Sequence, residues 1–102
     1  MEINRKKLIY AILREVNNNS SIKYTYDSFS VDEATFIQCV QIIIEENYAK
    51  GFTINYYDNK PNLIVGTPRI TMSGINFLED NHEWVKLYKG LKEIKDWIPF
   101  IY

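Results

Sequence analysis

Few side chains in this 102-residue sequence could perform acid–base or nucleophilic chemistry. There is one histidine, His82, beside Glu83, and one cysteine, Cys39, between Gln38 and Val40. A lone histidine near a helix start is ordinarily solvated, and a thiolate nucleophile needs a basic neighbour that the sequence does not place beside Cys39. Cys39 reads instead as a small buried thiol on the flank of an apolar helix face. No glycine-rich phosphate loop, metal-spaced histidine pair or nucleophile elbow occurs. A single cysteine also excludes an internal disulfide and a four-thiolate zinc site. The expectation is a protein that is not an enzyme and carries no cofactor or metal.

What remains is binding chemistry. Lys50, Lys60 and Arg69 could contact phosphates, with Arg5, Lys6 and Lys7 adding to them, while Gln38 and Gln41 could read adenine edges in a major groove. Asp32, Glu33, Glu45 and Glu46 are the only charges on the helix that carries those glutamines, and carboxylates close to phosphates are repelled. Twelve basic residues against 13 acidic ones leave a net charge of −1, far from the basic balance that advertises many nucleic-acid domains. On sequence chemistry alone, solvated polar residues are the simpler reading of Gln38 and Gln41. An acidic face with Ile42 exposed beside Glu45 suits a protein partner better. The apolar seam of Trp84, Leu87 and Leu91 either packs inside the chain or pairs with a second copy. The candidate partners are therefore double-stranded DNA and another protein, with the chain a monomer or a weak homodimer.

The elements that position these residues follow from periodicity. Leu8, Ile9, Ile12, Leu13 and Val16 recur at helical spacing, with Tyr10 and Arg14 on the other side, which predicts a helix over residues 4–16. Residues 22–29 fit a short strand or a helical turn equally well. Ser30-Val31-Asp32-Glu33 reads as a capping box opening a helix to residue 50, with Gly51 as its C-terminal cap. On it Phe36, Ile37, Val40, Ile43 and Ile44 share one side, and Gln38, Gln41, Ile42 and Glu45 the other. Two β-rich runs, 52–57 and 63–65, flank the turn residues Asp58-Asn59-Lys60-Pro61 and predict a hairpin. Thr71 caps a helix over 72–80, Asn81 breaks it, and a last helix spans 83–98 with Lys86, Lys89, Lys92 and Lys95 on its wet side. No apolar run reaches the ~18 residues of a membrane span, and the N-terminus lacks a signal-peptide core, so a cytoplasmic protein of one domain over residues 1–102 is expected.

Helix, irregular segment, long helix, hairpin and further helices is the order of a winged helix-turn-helix: an α+β fold with a hairpin wing and a C-terminal helical extension. In that architecture the helix before the hairpin enters the major groove. The chain also resembles the YjcQ-like family, small winged-helix proteins of low-GC Gram-positive bacteria and their prophages. The resemblance is carried by residues 7–15, by Glu46-Asn47-Tyr48, by Thr71-Met72-Ser73-Gly74, and by Glu83-Trp84 with Lys92-Glu93-Ile94-Lys95-Asp96-Trp97-Ile98. It implies the fold and a phage-linked setting and brings no catalytic or ligand residues. The function expected is a non-enzymatic, prophage-associated protein in DNA binding or transcription regulation. The alternative is an interaction module using the acidic third helix and the C-terminal helix.

Overall fold

The computed structural model describes residues 3–19 and 21–97. Its elements are α1 (Ile3–Asn17), α2 (Glu33–Glu45), β1 (Ala49–Tyr57), β2 (Lys60–Ile70), α3 (Met72–Asp80) and α4 (Ile94–Trp97), with single 3-10 turns at His82–Trp84 and Leu91–Glu93. The class is α+β, four helices with one antiparallel hairpin, an order compatible with a winged helix.

Helix α1 is the axis of the molecule. Leu8, Ile9, Ala11, Ile12 and Leu13 are all at 0% exposure, and Tyr10, expected on its wet side, is at 1%. A helix apolar over that much of its circumference must be covered on several sides. The C-terminal segment supplies the extra cover: Tyr10 meets Trp84, Tyr88 and Trp97 at ring-centroid distances of 5.4, 6.3 and 5.9 Å.

Helix α2 starts and stops where its side chains can satisfy its ends. Asp32, not Ser30, is the N-cap, accepting from the Thr35 amide at 3.0 Å and the Thr35 hydroxyl at 2.7 Å. Ser30 sits at φ 56° inside a tight turn closed by Ser30 N–H to the Asp27 carbonyl, a geometry no N-cap adopts. The helix ends at Glu45, before the predicted residue 50. Asn47 at φ 55° is the left-handed cap residue, with Asn47 N–H bonded to Ile44 and Tyr48 N–H to Ile43. Its buried residues are Phe36, Cys39, Val40 and Ile43, so the core face is rotated toward Cys39. Ile42, expected to be exposed, is partly buried against the core.

Gly51 belongs to the hairpin. Asp58 and Asn59, at φ 51° and 63°, form a two-residue turn whose twist suits a hairpin, so Lys60 and Pro61 belong to β2 and both strands are longer than predicted. At the other end the register slips between Lys50 and Phe52. There Gly51 takes φ 96°, and a Cβ on it would lie 2.5 Å from the Thr67 carbonyl oxygen, so only glycine lets β2 cross this closely.

Thr71 fixes α3 to this corner. Its hydroxyl accepts from Gly74 N–H at 3.1 Å and donates to the Asn47 carbonyl at 2.5 Å, and its amide donates to the Tyr48 carbonyl at 3.1 Å. Gly74 presses its backbone onto Tyr48 so closely that a Cβ would stand 2.0 Å from the Tyr48 oxygen.

The single helix expected over 83–98 is instead two 3-10 turns and the four-residue α4; the predicted end at residue 98 lies outside the described residues. Gly90 at φ 90° breaks it. The break lets Trp84, Tyr88 and Trp97 all face Tyr10 of α1, which a straight helix seam through Leu87 and Leu91 would not. Trp97 then closes on the opposite end of the chain: its Nε1 donates to the Lys7 carbonyl at 2.9 Å, and the Lys7 ammonium lies 4.7 Å from its ring centroid. Tyr88 donates to buried Glu15 at 2.5 Å.

Candidate binding surface

The groups capable of chemistry are dispersed. Cys39 is buried beneath α1, its Sγ 3.8 Å from the Arg5 carbonyl, and desolvation pushes its thiol up to about 12. A thiol so disposed is an apolar filler. His82 is exposed, 4.0 Å from Glu83.

The cationic candidates lie on the hairpin. Lys50 and Arg69 are cross-strand partners at its base, and Lys60 faces Tyr57 at its tip. All three are exposed, and among the described residues none forms an ion pair. Of the α1 cations, Lys7 is half-buried and engaged with Trp97. Arg14 donates to the Tyr10 hydroxyl at 3.1 Å and lies 5.6 Å from the Tyr88 ring. Gln38 is exposed on α2, while Gln41 and Glu45 open onto a groove of about 390 Å³ against Phe52, Ile54 and Tyr56 of β1. Trp84 is core, Leu91 is half-buried, and only Leu87 of that expected seam is free, at 60% exposure.

Charge divides the molecule. Residues 18–81, which build α2, the hairpin and α3, hold four basic residues (Lys23, Lys50, Lys60, Arg69) against eight acidic ones. Residues 3–17 and 82–97, held together by the Tyr88–Glu15 and Trp97–Lys7 bonds, hold eight basic against four acidic. The part of the chain that builds α2, the hairpin and α3 is therefore the acidic one. At its helix start Asp32 is held below the ordinary carboxylate range, first by the Thr35 hydroxyl and then by the Thr35 amide.

A larger groove of about 440 Å³ opens on this acidic side between β2, residues 22–26 and the first turns of α2. Tyr24 and Phe36 form its floor, Ile22, Ile37, Leu63 and Val65 its apolar walls, and Lys23 and Glu33 its charged lining. Sequence reasoning passed over this site. The segment 22–29 had no decided structure, and a groove needs two walls brought from distant parts of the chain.

The backbone of the β2 wall has a definite phase. Counting from the two-residue turn, Tyr57–Lys60, Asn55–Asn62 and Thr53–Ile64 are the hydrogen-bonded pairs, which turns the N–H and C=O groups of residues 61, 63 and 65 outward. Pro61, which has no N–H, occupies an outward position as it must. Among the described residues no backbone hydrogen bond joins β2 to residues 22–26.

Comparison with known proteins gives two matches. A family model described as YjcQ protein matches residues 6–97. The chain is also 38% identical over 96 residues to the uncharacterized protein YjcQ of Bacillus subtilis (strain 168), covering 94% of this chain and 99% of that protein. No solved structure matches.

Proposed function

The chain belongs to the YjcQ family, and we propose that it is a non-enzymatic protein-interaction module, a winged helix whose α2–hairpin side binds protein. One observation carries this reading: residues 18–81, which build α2 and the hairpin that a winged helix would turn to DNA together with α3, hold eight acidic against four basic residues and line an apolar groove. Neutralising phosphates takes local cations, and α2 has none to offer, whereas an acidic surface around an apolar cleft is ordinary for a protein partner. Gln41 adds to it, since it lines a cleft against β1.

A DNA-binding or regulatory role is the second reading, favoured by Lys50 and Arg69, which stand side by side, exposed, at the hairpin base with Lys60 at its tip. Titration of a mixed-sequence duplex at physiological salt separates the two. The interaction reading expects no binding tighter than ~0.1 mM, the weak end of ordinary non-specific affinity. Tighter binding, with a salt slope that falls by about one for each of Lys50→Ala, Lys60→Ala and Arg69→Ala, would put DNA in its place.

A further inference from the structure

We propose that the groove between β2 and residues 22–26 takes an extended peptide of a partner protein, apolar at alternate positions and net basic, which pairs with the free edge of β2 as a third strand. The inference rests on the interaction reading and specifies its partner.

Backbone, shape and charge agree on this occupant. The outward N–H groups of Leu63 and Val65, with the outward carbonyls of Pro61, Leu63 and Val65, present a hydrogen-bonding edge in the wall of the groove. A helix could not satisfy them, because its own backbone groups are already paired. A strand could, and its alternate side chains would point down onto Tyr24, Phe36 and Leu63 while the others faced water. The edge is also undefended. Natural edges are blunted by lysine, proline or a bulge. Here Pro61 and Pro68 stand at either end of the stretch, and between them come Leu63, Ile64 and Val65, the last two at 46% and 38% exposure. That leaves room for about four or five paired residues. Charge selects among extended peptides: Glu33 lines the groove and Asp32 and Asp27 adjoin lining residues in the chain, three carboxylates against Lys23 in the lining and Lys60 beside Pro61. A peptide with basic residues at its water-facing positions is attracted, and an acidic one is repelled. A second copy of this chain presenting the same edge would bring two acidic sides together, which disfavours it as the occupant.

The test is a display selection of unstructured nine-residue peptides against the full chain. The best binder is then synthesised and titrated while backbone amide exchange is followed. Selected peptides should be basic with apolar residues at alternate positions. With peptide at about 100 times its Kd, exchange at the Leu63 and Val65 amides should slow about 100-fold. N-methylation of the peptide amides facing β2 should weaken binding at least about tenfold, and N-methylation of the intervening ones should not. Leu63→Asp should abolish binding, while Ile64→Asp, on the opposite face of the same strand, should retain it and show that the hairpin still folds. Peptides that bind as helices, or leave the Leu63 and Val65 amides unchanged, would overturn the strand while leaving the interaction reading standing. An empty selection, or a peptide-free dimer that already protects both amides, would also overturn it; the duplex titration judges the broader reading separately.

Discussion

Replacing Tyr88 with phenylalanine probes the contact on which the C-terminal segment depends. The ring is 6% exposed and Glu15 is 7% exposed, and the hydroxyl donates to Glu15 Oε2 at 2.5 Å across 73 residues of sequence. The substitution keeps the ring contacts to Tyr10 and Trp97 and removes one oxygen atom, so no cavity term of consequence arises. The cost is the lost bond to a carboxyl group that has no other side-chain partner among the described residues, about 2 kcal/mol. For a domain of this size that is a fall in Tm of about 8–16 °C. Urea denaturation followed by tryptophan fluorescence suits the site, because Trp84 and Trp97 both lie beside it. Glu15→Leu alone should cost at least as much, since it strands the buried hydroxyl. The double variant, with neither polar group left, should recover most of the loss. A Tyr88→Phe protein within about 0.5 kcal/mol of wild type, or a double variant that costs the sum of the singles, would refute the reasoning.

Cys39 should resist thiol reagents in the native protein and react at once in denaturant. Because burial raises its thiol from 9.0 to about 12, its contribution to stability is whole below pH 9 and lost as pH rises toward 12, so a urea midpoint that falls in that window should fall less in Cys39→Ala. Asp32→Ala removes the α2 cap and should cost about 1 kcal/mol at neutral pH by urea denaturation. Since the Asp32 carboxyl is lowered from 3.8 in the folded chain, its contribution is present above that value and lost on acidification below it, where wild type and variant should converge. Gly74→Ala drives a methyl into the Tyr48 carbonyl and should destabilise by about 1–3 kcal/mol in the same assay; a neutral outcome would mean that α3 does not lie this close to the α2–β1 corner.

Local chemistry was legible in the sequence. The hairpin followed from two β-rich runs around Asp58-Asn59-Lys60-Pro61, the start of α3 from Thr71, and its stop from Asn81. The errors arose where two local patterns competed or where a distant contact decided. Ser30 fitted the capping-box pattern, but the tight turn through it leaves Asp32 as the N-cap. Gly51 looked like a helix terminus because the β2 backbone that crosses it lies 16 residues further on, at Thr67. The seam through Leu87 and Leu91 was a real periodicity, but Tyr88 had Glu15 to reach and Gly90 offered a break. Lys50, Lys60 and Arg69, read from the sequence as candidate phosphate contacts, are exposed on the hairpin. That they stand on the acidic side of the molecule depends on which segments pack together, and no local pattern encodes that.

The residues that carry the family resemblance are accounted for by packing. Residues 7–15 fill the centre of α1, Thr71 and Gly74 lock α3 to the corner at Tyr48, and Trp84 and Trp97 enclose Tyr10. The apolar lining of the larger groove, Ile22, Tyr24, Phe36, Ile37, Leu63 and Val65, is not among them. The residues of the resemblance and the groove lining are therefore separate sets, although Tyr24 and Phe36 of the lining also belong to the core. The cations of the chain ends are partly consumed in building the scaffold, Lys7 on Trp97 and Arg14 on Tyr10 and Tyr88. Residues 18–81 keep a surplus of carboxylates, none of which forms an ion pair among the described residues. On this division, a change at Leu63, packed against the core, should lower both binding and stability, whereas changes at Ile37 or Lys23 should alter which partner is bound while leaving stability nearly untouched. Changes at Thr71, Gly74 or Trp97 should do the reverse.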